Sequence, residues 1–196
     1  VFVRAAFDGQ KWQEKPRRFQ LNAIIGMVDD PENQAQMPVS MDFANGGHHM
    51  VIGTVSTGKS TLLQTVVYSL AACYPPDLLN IYCLDFSAKM LSVFNGLKHV
   101  GGYLDESDLE TDHVDKFFTM IAHILDERKA RFAGTGFEDA VNHDGWDTPA
   151  ILIVIDNYGS FHEKTGETYE AIMTRIAKEG IGYGVFLLVS AGGIGM

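Results

Sequence analysis

Cysteine is almost absent from this chain. Only Cys73 and Cys83 occur, both in apolar segments where a thiol acts as a small hydrophobe. A disulfide scaffold is not implied, and a reducing cytosol is the simplest setting. The 7 His residues lack Cys or carboxylate partners at ligand spacing. His48 and His49, adjacent on an expected strand, would point to opposite faces, so no metal centre built from protein ligands alone is expected. No apolar run is long enough to cross a bilayer. The start Val1-Phe2-Val3-Arg4 lacks the apolar core and small-residue cleavage site of a secretory leader. Basic residues are few: 15 Lys and Arg stand against 25 Asp and Glu, a formal net charge of -10. That charge repels a polyphosphate backbone over most of the surface and argues against tight, sequence-independent DNA binding. Internal repeats and low-complexity segments are lacking as well.

What is present suits one α/β domain with a substantial core: 196 residues, 46% of them hydrophobic. The first residue is not Met, and Ser190-Ala191-Gly192-Gly193-Ile194-Gly195-Met196 ends the chain just past an apolar strand, so a piece of a longer protein is expected.

The most specific pattern is Gly53-Thr54-Val55-Ser56-Thr57-Gly58-Lys59-Ser60-Thr61, which matches G-x-x-x-x-G-K-S/T. It follows the short apolar run Met50-Val51-Ile52 and opens a stretch with Leu62, Leu63, Val66, Val67, Leu70 and Ala71 at helical spacing. The glycines let successive N–H groups turn inward, and the helix N-terminus adds partial positive charge to that cradle. The predicted ligand is a nucleotide polyphosphate, bound by Gly53, Ser56, Thr57, Gly58, Lys59, Ser60 and Thr61. Lys59 would reach the β- and γ-phosphates, and the Ser60 hydroxyl would ligate Mg²⁺.

Residues 1–43 read as a small β flank, with β-like runs Val1–Phe7, Leu21–Val28 and Val39–Phe43 broken by Asp8-Gly9 and Asp29-Asp30-Pro31-Glu32. Lys15-Pro16-Arg17-Arg18 is the basic cluster there and reads as a solvated loop. Residues 44–196 form the nucleotide-binding core. Expected strands at Met50–Ile52, Leu79–Leu84, Ala150–Ile155 and Gly184–Val189 alternate with helices near Ser60–Tyr74, Asp112–Phe132 and Glu167–Glu179, the signature of a mainly parallel sheet flanked by helices. The stretch His143–Pro149 reads as a loop.

Ala150-Ile151-Leu152-Ile153-Val154-Ile155-Asp156 is a continuous apolar run that delivers an acid to the carboxyl edge of the sheet. Asp156 is the Walker B candidate and would hold Mg²⁺ through water, opposite Ser60. The strand order implies that another strand intervenes in the sheet, as in the additional-strand class of P-loop ATPases. In that class a Glu follows the Walker B Asp and activates the attacking water. Asn157 stands there instead; its amide can orient water but is a negligible base, and a cap for the following turn is its alternative role. Ser190, at the end of the last strand, is the sensor candidate. Asp85, closing Leu79–Leu84, is either a site residue or a cap.

Beyond these motifs the chain resembles the FtsK/SpoIIIE-type motor domains, and within them the tandem ATPase domains of type VII secretion systems, the EssC and EccC proteins. The resemblance runs from about Ile25 to the end. It is carried in order by Gly26-Met27-Val28-Asp29-Asp30-Pro31-Glu32, Gln36-Met37-Pro38, Gly47-His48, Thr61-Leu62-Leu63-Gln64-Thr65, Leu79-Asn80-Ile81-Tyr82-Cys83-Leu84-Asp85-Phe86, Phe94–Gly102, Glu127-Arg128-Lys129-Ala130-Arg131-Phe132, Val154-Ile155-Asp156-Asn157 and Glu179-Gly180-Ile181-Gly182-Tyr183-Gly184. Lys98 replaces a usual Pro, and Ser87-Ala88-Lys89-Met90 fills a position that is glycine-rich in many relatives. The resemblance implies a RecA-like fold with ATP and Mg²⁺. It implies a homo-hexamer with neighbouring ATPase domains, and a place at the cytoplasmic face of the bacterial plasma membrane within a longer anchored chain. Its partners would be small helical-hairpin export substrates and their signal segments.

The departures at Asn157 and at residues 87–90 imply weak hydrolysis, with Lys59, Asp156 and Asn157 as the catalytic candidates. Arg128 and Arg131 are the candidates for an arginine finger, although surface ion pairs are the commoner fate of such residues. Two other readings are a DNA or conjugative translocase motor, against which the acidic charge counts, and a nucleotide-gated interaction module that never hydrolyses.

Overall fold

The computed structural model describes residues 16 and 18–193. The expected strand Val1–Phe7, and Lys15 and Arg17 of the basic cluster, lie outside the described residues. β1 (Asn22–Asp30) and β2 (Ala35–Asp42) pair as an antiparallel hairpin with a register shift between Ile24 and Gly26. A single helical turn, α1 (Phe43–Gly46), leads into β3 (His49–Ile52) and α2 (Lys59–Cys73). There follow β4 (Leu79–Asp85), β5 (Val100–Asp105), α3 (His113–Arg131), α4 (Phe137–Asp144), β6 (Ala150–Asp156), α5 (Tyr158–Thr165), α6 (Glu170–Glu179) and β7 (Val185–Ala191). The main sheet has 5 strands in the order β3-β7-β6-β4-β5, every neighbouring pair parallel. The strand intervening between β3 and β6 is therefore β7, the last in sequence.

Every residue of β6 is buried, as expected of a parallel strand with helices on both faces. Successive side chains feed two separate cores. Leu152 and Val154 join Ile81, Cys83, Phe186 and Leu188 against the buried stripe of α2, Leu63, Val66, Val67 and Leu70. Ile151, Ile153 and Ile155 join Leu187 and Val189 against Phe117, Phe118, Ile121 and Leu125 of α3 and Met173 and Ile176 of α6. The hairpin belongs to the first core through Ala23, next to the buried Leu21 that leads into it. It is also bonded to α2: the Ile24 N–H donates to Ser69 Oγ at 2.8 Å and the Asn22 N–H to Tyr74 Oη at 3.1 Å. No helix among the described residues is long and apolar enough to cross a membrane. Cys73 and Cys83 are free, and burial pushes the Cys83 thiol up to about 12.

Three elements depart from the sequence expectation. β5 contains Gly101-Gly102, which weakens any strand signal; a Cβ at Gly101 would lie 2.8 Å from the Tyr82 ring, so glycine is what lets that ring cross the strand. α4 overlaps the expected loop only at His143 and Asp144 and otherwise fills a stretch given no element; it buries only Phe137 and Val141, too few positions to reveal a period. α5 begins where only a turn is expected.

Arg128 is a further correction. It is not a surface residue: its guanidinium is buried, donating from Nη1 to the Tyr183 and Gly184 carbonyls at 2.7 and 3.2 Å and from Nη2 to the Pro149 carbonyl at 2.6 Å. It lies 5.7 Å from the Phe137 ring centroid, and burial lowers its pKa to about 10, leaving it charged at neutral pH. Arg131 pairs with Asp147 at the surface, at 3.0 Å. Buried carbonyls stripped of their donor cost about 1–3 kcal/mol. Arg128→Ala is therefore expected to lower unfolding free energy by at least about 2 kcal/mol, and Arg131→Ala to stay within about 0.5 kcal/mol, both read from urea denaturation. Equal effects would contradict the structural role given to Arg128.

His48 joins the cores differently. Its Nδ1 accepts from the Leu187 N–H at 2.9 Å, and its Nε2 lies 3.2 Å from the Ile176 carbonyl, so the neutral ring with its proton on Nε2 satisfies both. Burial holds this imidazole below the ordinary 6.5. The unfolded chain thus takes up the proton first, and the contribution to stability is complete above 6.5 and lost as pH falls from there through the folded value. The urea midpoint is expected to drop between about pH 7.5 and about pH 5.5, and to drop less in His48→Asn. An identical pH profile in the variant would remove His48 as the cause.

Candidate nucleotide site

The loop that leaves β3 is held at its root by the Gly53 N–H, which donates to the Ala191 carbonyl at 3.2 Å, and at its middle by Thr57 Oγ1 donating to the Thr54 carbonyl at 2.9 Å. Ser56 and Gly58 adopt left-handed φ values of 65° and 88°, the curled backbone that turns consecutive N–H groups to one side. Gly58 is the N-cap of α2 and supplies no side chain to its first turn. Those N–H groups are left to an anion. Lys59 folds back over the loop, with Nζ donating to the Gly53 and Thr54 carbonyls at 2.7 and 2.8 Å.

Across the cleft, Asp156 ends β6 with 1% exposure. Its Oδ2 accepts from Ser60 Oγ at 2.6 Å and its Oδ1 from Ser190 Oγ at 2.5 Å. The sequence-predicted Ser60, Asp156 and Ser190 thus meet in one hydrogen-bonded group. A hydroxyl and a carboxylate oxygen are hard donors of the kind Mg²⁺ takes beside phosphate, so the residues present fit that ion.

Asn157 is occupied by the fold. Its backbone is left-handed at φ 64°, its N–H donates to Ser190 Oγ at 2.9 Å, and its Oδ1 caps α5 by accepting from the Ser160 N–H at 3.4 Å. Its Nδ2 donates to the Phe86 carbonyl at 3.2 Å. Asp85 has the capping role of its two alternatives: it is buried and accepts from the Ser87 and Leu91 N–H groups at 3.1 and 2.8 Å. The cleft between these walls has a volume of about 500 Å³ and is lined by residues 55–61, Asp156, Asn157, Ser190, Gly192, Ser87, Ala88 and Met90. Gly53, at the root of the loop, is not in the lining. Ser87, Ala88 and Met90 form one wall; the sequence marked residues 87–90 only as a departure bearing on hydrolysis, without placing them among the nucleotide contacts. Their position at the carboxyl end of β4 was the signal available. Lys89, left-handed at φ 56°, turns out of the cleft to pair with Asp105 at 2.7 Å, which holds the Asp105 carboxyl down at about 2.

Known proteins resemble this chain in sequence and in fold. The FtsK/SpoIIIE family model matches residues 3–193. The chain is 30% identical over 196 residues to the ESX secretion system protein EccC of Thermomonospora curvata, covering 94% of this chain and 14% of that protein. It is 27% identical over 183 residues to the type VII secretion system protein EssC of Staphylococcus aureus, covering 91% and 12%. The chain therefore spans less than a sixth of the length of these curated relatives. Among solved structures, ATPases 2 and 3 of EssC from Geobacillus thermodenitrificans superpose with a TM-score of 0.78 at 24% identity, covering 93% of this chain and 36% of that one. ATPases 2 and 3 of T. curvata EccC, in complex with a signal sequence peptide, superpose at 0.76 with 30% identity, covering 95% and 34%.

The cap at Asn157 can be tested by stability alone. Asn157→Ala loses the cap and keeps the left-handed backbone, so a loss of about 1–2 kcal/mol is expected. Asn157→Gly suits that backbone and should lose less. Thermal or urea unfolding measures both; an alanine variant as stable as the parent would show that the amide does not hold α5.

Proposed function

The chain belongs to the FtsK/SpoIIIE family, and from that premise we propose that it is an ATP-binding, weakly hydrolysing domain of a type VII protein secretion ATPase. The observation that carries this reading is the contact between Ser60 of the glycine-rich loop and the buried Asp156 across the cleft, at 2.6 Å. Two oxygen donors from distant parts of the sequence are brought together beside a helix N-terminus whose N–H groups no side chain caps.

On this reading the first-turn N–H groups of α2 receive the phosphate oxygens. Lys59 exchanges the neutral carbonyls of Gly53 and Thr54 for phosphate, a stronger charge-assisted partner. Ser60 and Asp156 would hold Mg²⁺, which when bound neutralises polyphosphate charge and polarises the terminal phosphoryl group. Asn157 provides no base, so the share of rate that general-base catalysis supplies, about 10²- to 10⁴-fold, is missing. Arg128 and Arg131 are both engaged elsewhere, so a cation for the transition state would come from a neighbouring domain or subunit of a hexamer. The signal sequence peptide bound to the EccC relative, together with the charge of -10, favours helical-hairpin export substrates over DNA as partners. The setting is the cytoplasmic face of the bacterial plasma membrane, within a longer anchored protein.

Calorimetric titration with Mg²⁺-ATP is expected to give saturable binding to the parent and none to Lys59→Ala, and phosphate release by the parent should stay below about one per second. Equal binding by the two proteins would overturn the site; turnover at ordinary motor rates would overturn weak hydrolysis. Fluorescence anisotropy at physiological salt should show binding of an export signal segment and not of duplex DNA; the reverse would favour a DNA translocase.

A further inference from the structure

Ser190 is fully buried, at 0% exposure, and its hydroxyl is used in both directions: Oγ donates to Asp156 Oδ1 at 2.5 Å and accepts from the Asn157 N–H at 2.9 Å. A serine hydroxyl has a single proton to give. Spent on the carboxylate, that proton is not available to a phosphate, so Ser190, although it contributes to the cleft wall, bears on a ligand there through Asp156.

The consequence for Asp156 is rotational. The last torsion of an aspartate is soft and broad, and within a buried site nothing intrinsic to the side chain chooses which oxygen faces the cleft. The Ser190 bond takes Oδ1 and leaves Oδ2 directed at Ser60. The same hydroxyl holds the backbone of Asn157, whose side chain caps α5 and ties the Phe86 carbonyl. Phe86 is bonded a second time, through its N–H to the Asp156 carbonyl at 3.0 Å. One hydroxyl therefore links the metal-ligand carboxylate, the start of α5 and the segment that continues into the Ser87–Met90 wall.

We propose that Ser190 is a positioning residue for the divalent cation of the nucleotide complex: it aims Asp156 Oδ2 at Ser60 and, through Asn157, transmits occupancy of that site to α5 and to the Phe86–Met90 wall. This deepens the nucleotide reading above and rests on it.

The test titrates methylanthraniloyl-ATP into the full chain with and without Mg²⁺. In the parent, Mg²⁺ tightens binding. In Ser190→Ala that tightening falls by about 10- to 100-fold, the loss typical of removing an outer hydrogen-bond partner of a metal ligand. The Mg²⁺-free arm reports the phosphate cradle separately and loses less. Ser190→Thr, which keeps the hydroxyl, restores the tightening. Hydrogen exchange gives a second readout: Mg²⁺-nucleotide changes the protection of the Tyr158–Thr165 amides in the parent and leaves them unchanged in Ser190→Ala. Should the alanine variant not fold, Ser190→Cys, of similar size and a weaker donor, shows the same selective loss. Full Mg²⁺ tightening in a folded Ser190→Ala or Ser190→Cys overturns the proposal and leaves the nucleotide reading standing. A parent that binds no analogue under either condition overturns the nucleotide reading, and this proposal with it.

Discussion

A carboxylate at the end of a wholly buried strand is an unfavourable thing to fold, and the arrangement of the cleft follows from how that cost is met. Ionised groups removed from water need donors close by, and Asp156 has two, Ser60 from the first turn of α2 and Ser190 from the end of β7. Each donor fixes an element. The bond to Ser60 sets how far the N-terminus of α2 stands from the sheet edge. The bond to Ser190 requires β6 and β7 to lie side by side in parallel register, with Ile155 opposite Val189. Asp85, opposite Asp156 on the other flank of β6, meets the same constraint with backbone N–H groups, and in doing so shapes the loop that forms the far wall. The bonds that satisfy Asp156 are the same bonds that bring Ser60 and Ser190 together at the cleft.

How much of this could be read from the sequence depended on the signal each part leaves. The glycine-rich loop, the unbroken apolar run before Asp156 and the apolar periods of α2 and α3 are dense local patterns, and the corresponding elements fall within a few residues of expectation. β5 was hidden because its glycines serve the Tyr82 ring of the neighbouring strand, a tertiary reason invisible along the chain. α4 was hidden because a helix of 8 residues burying two side chains has no measurable period. Arg128 was misjudged for a similar cause. Its sequence neighbours are those of a solvated helix end, and only the fold shows that three carbonyls from the segments preceding β6 and β7 converge on it.

Asn157 shows where a comparison of residue types stops being informative. Set beside an ATPase pattern, it is a missing acid. In the structure it is a residue that tolerates a left-handed backbone, caps a helix and ties a loop, tasks that asparagine performs better than glutamate. An acid placed there would have to leave these bonds to serve a water molecule. The substitution is thus better described as an exchange of one duty for another than as a loss.

The position of β7 has a consequence for how the chain comes to be folded during its synthesis. Among the described residues β3 pairs with β7 alone, so within that set the strand that carries the glycine-rich loop has no lateral partner until residues 185–191 have left the ribosome. β4 and β6 can pair earlier, and the hairpin can seat on α2, but the loop cannot be anchored through the Ala191 carbonyl before the last strand arrives. Parallel pairings of such separation are slow to close and leave strand edges open in the meantime. The root of the glycine-rich loop, held by the Ala191 carbonyl, thus depends on a pairing of long sequence separation, and the cleft is among the last features of this region whose bonds can close.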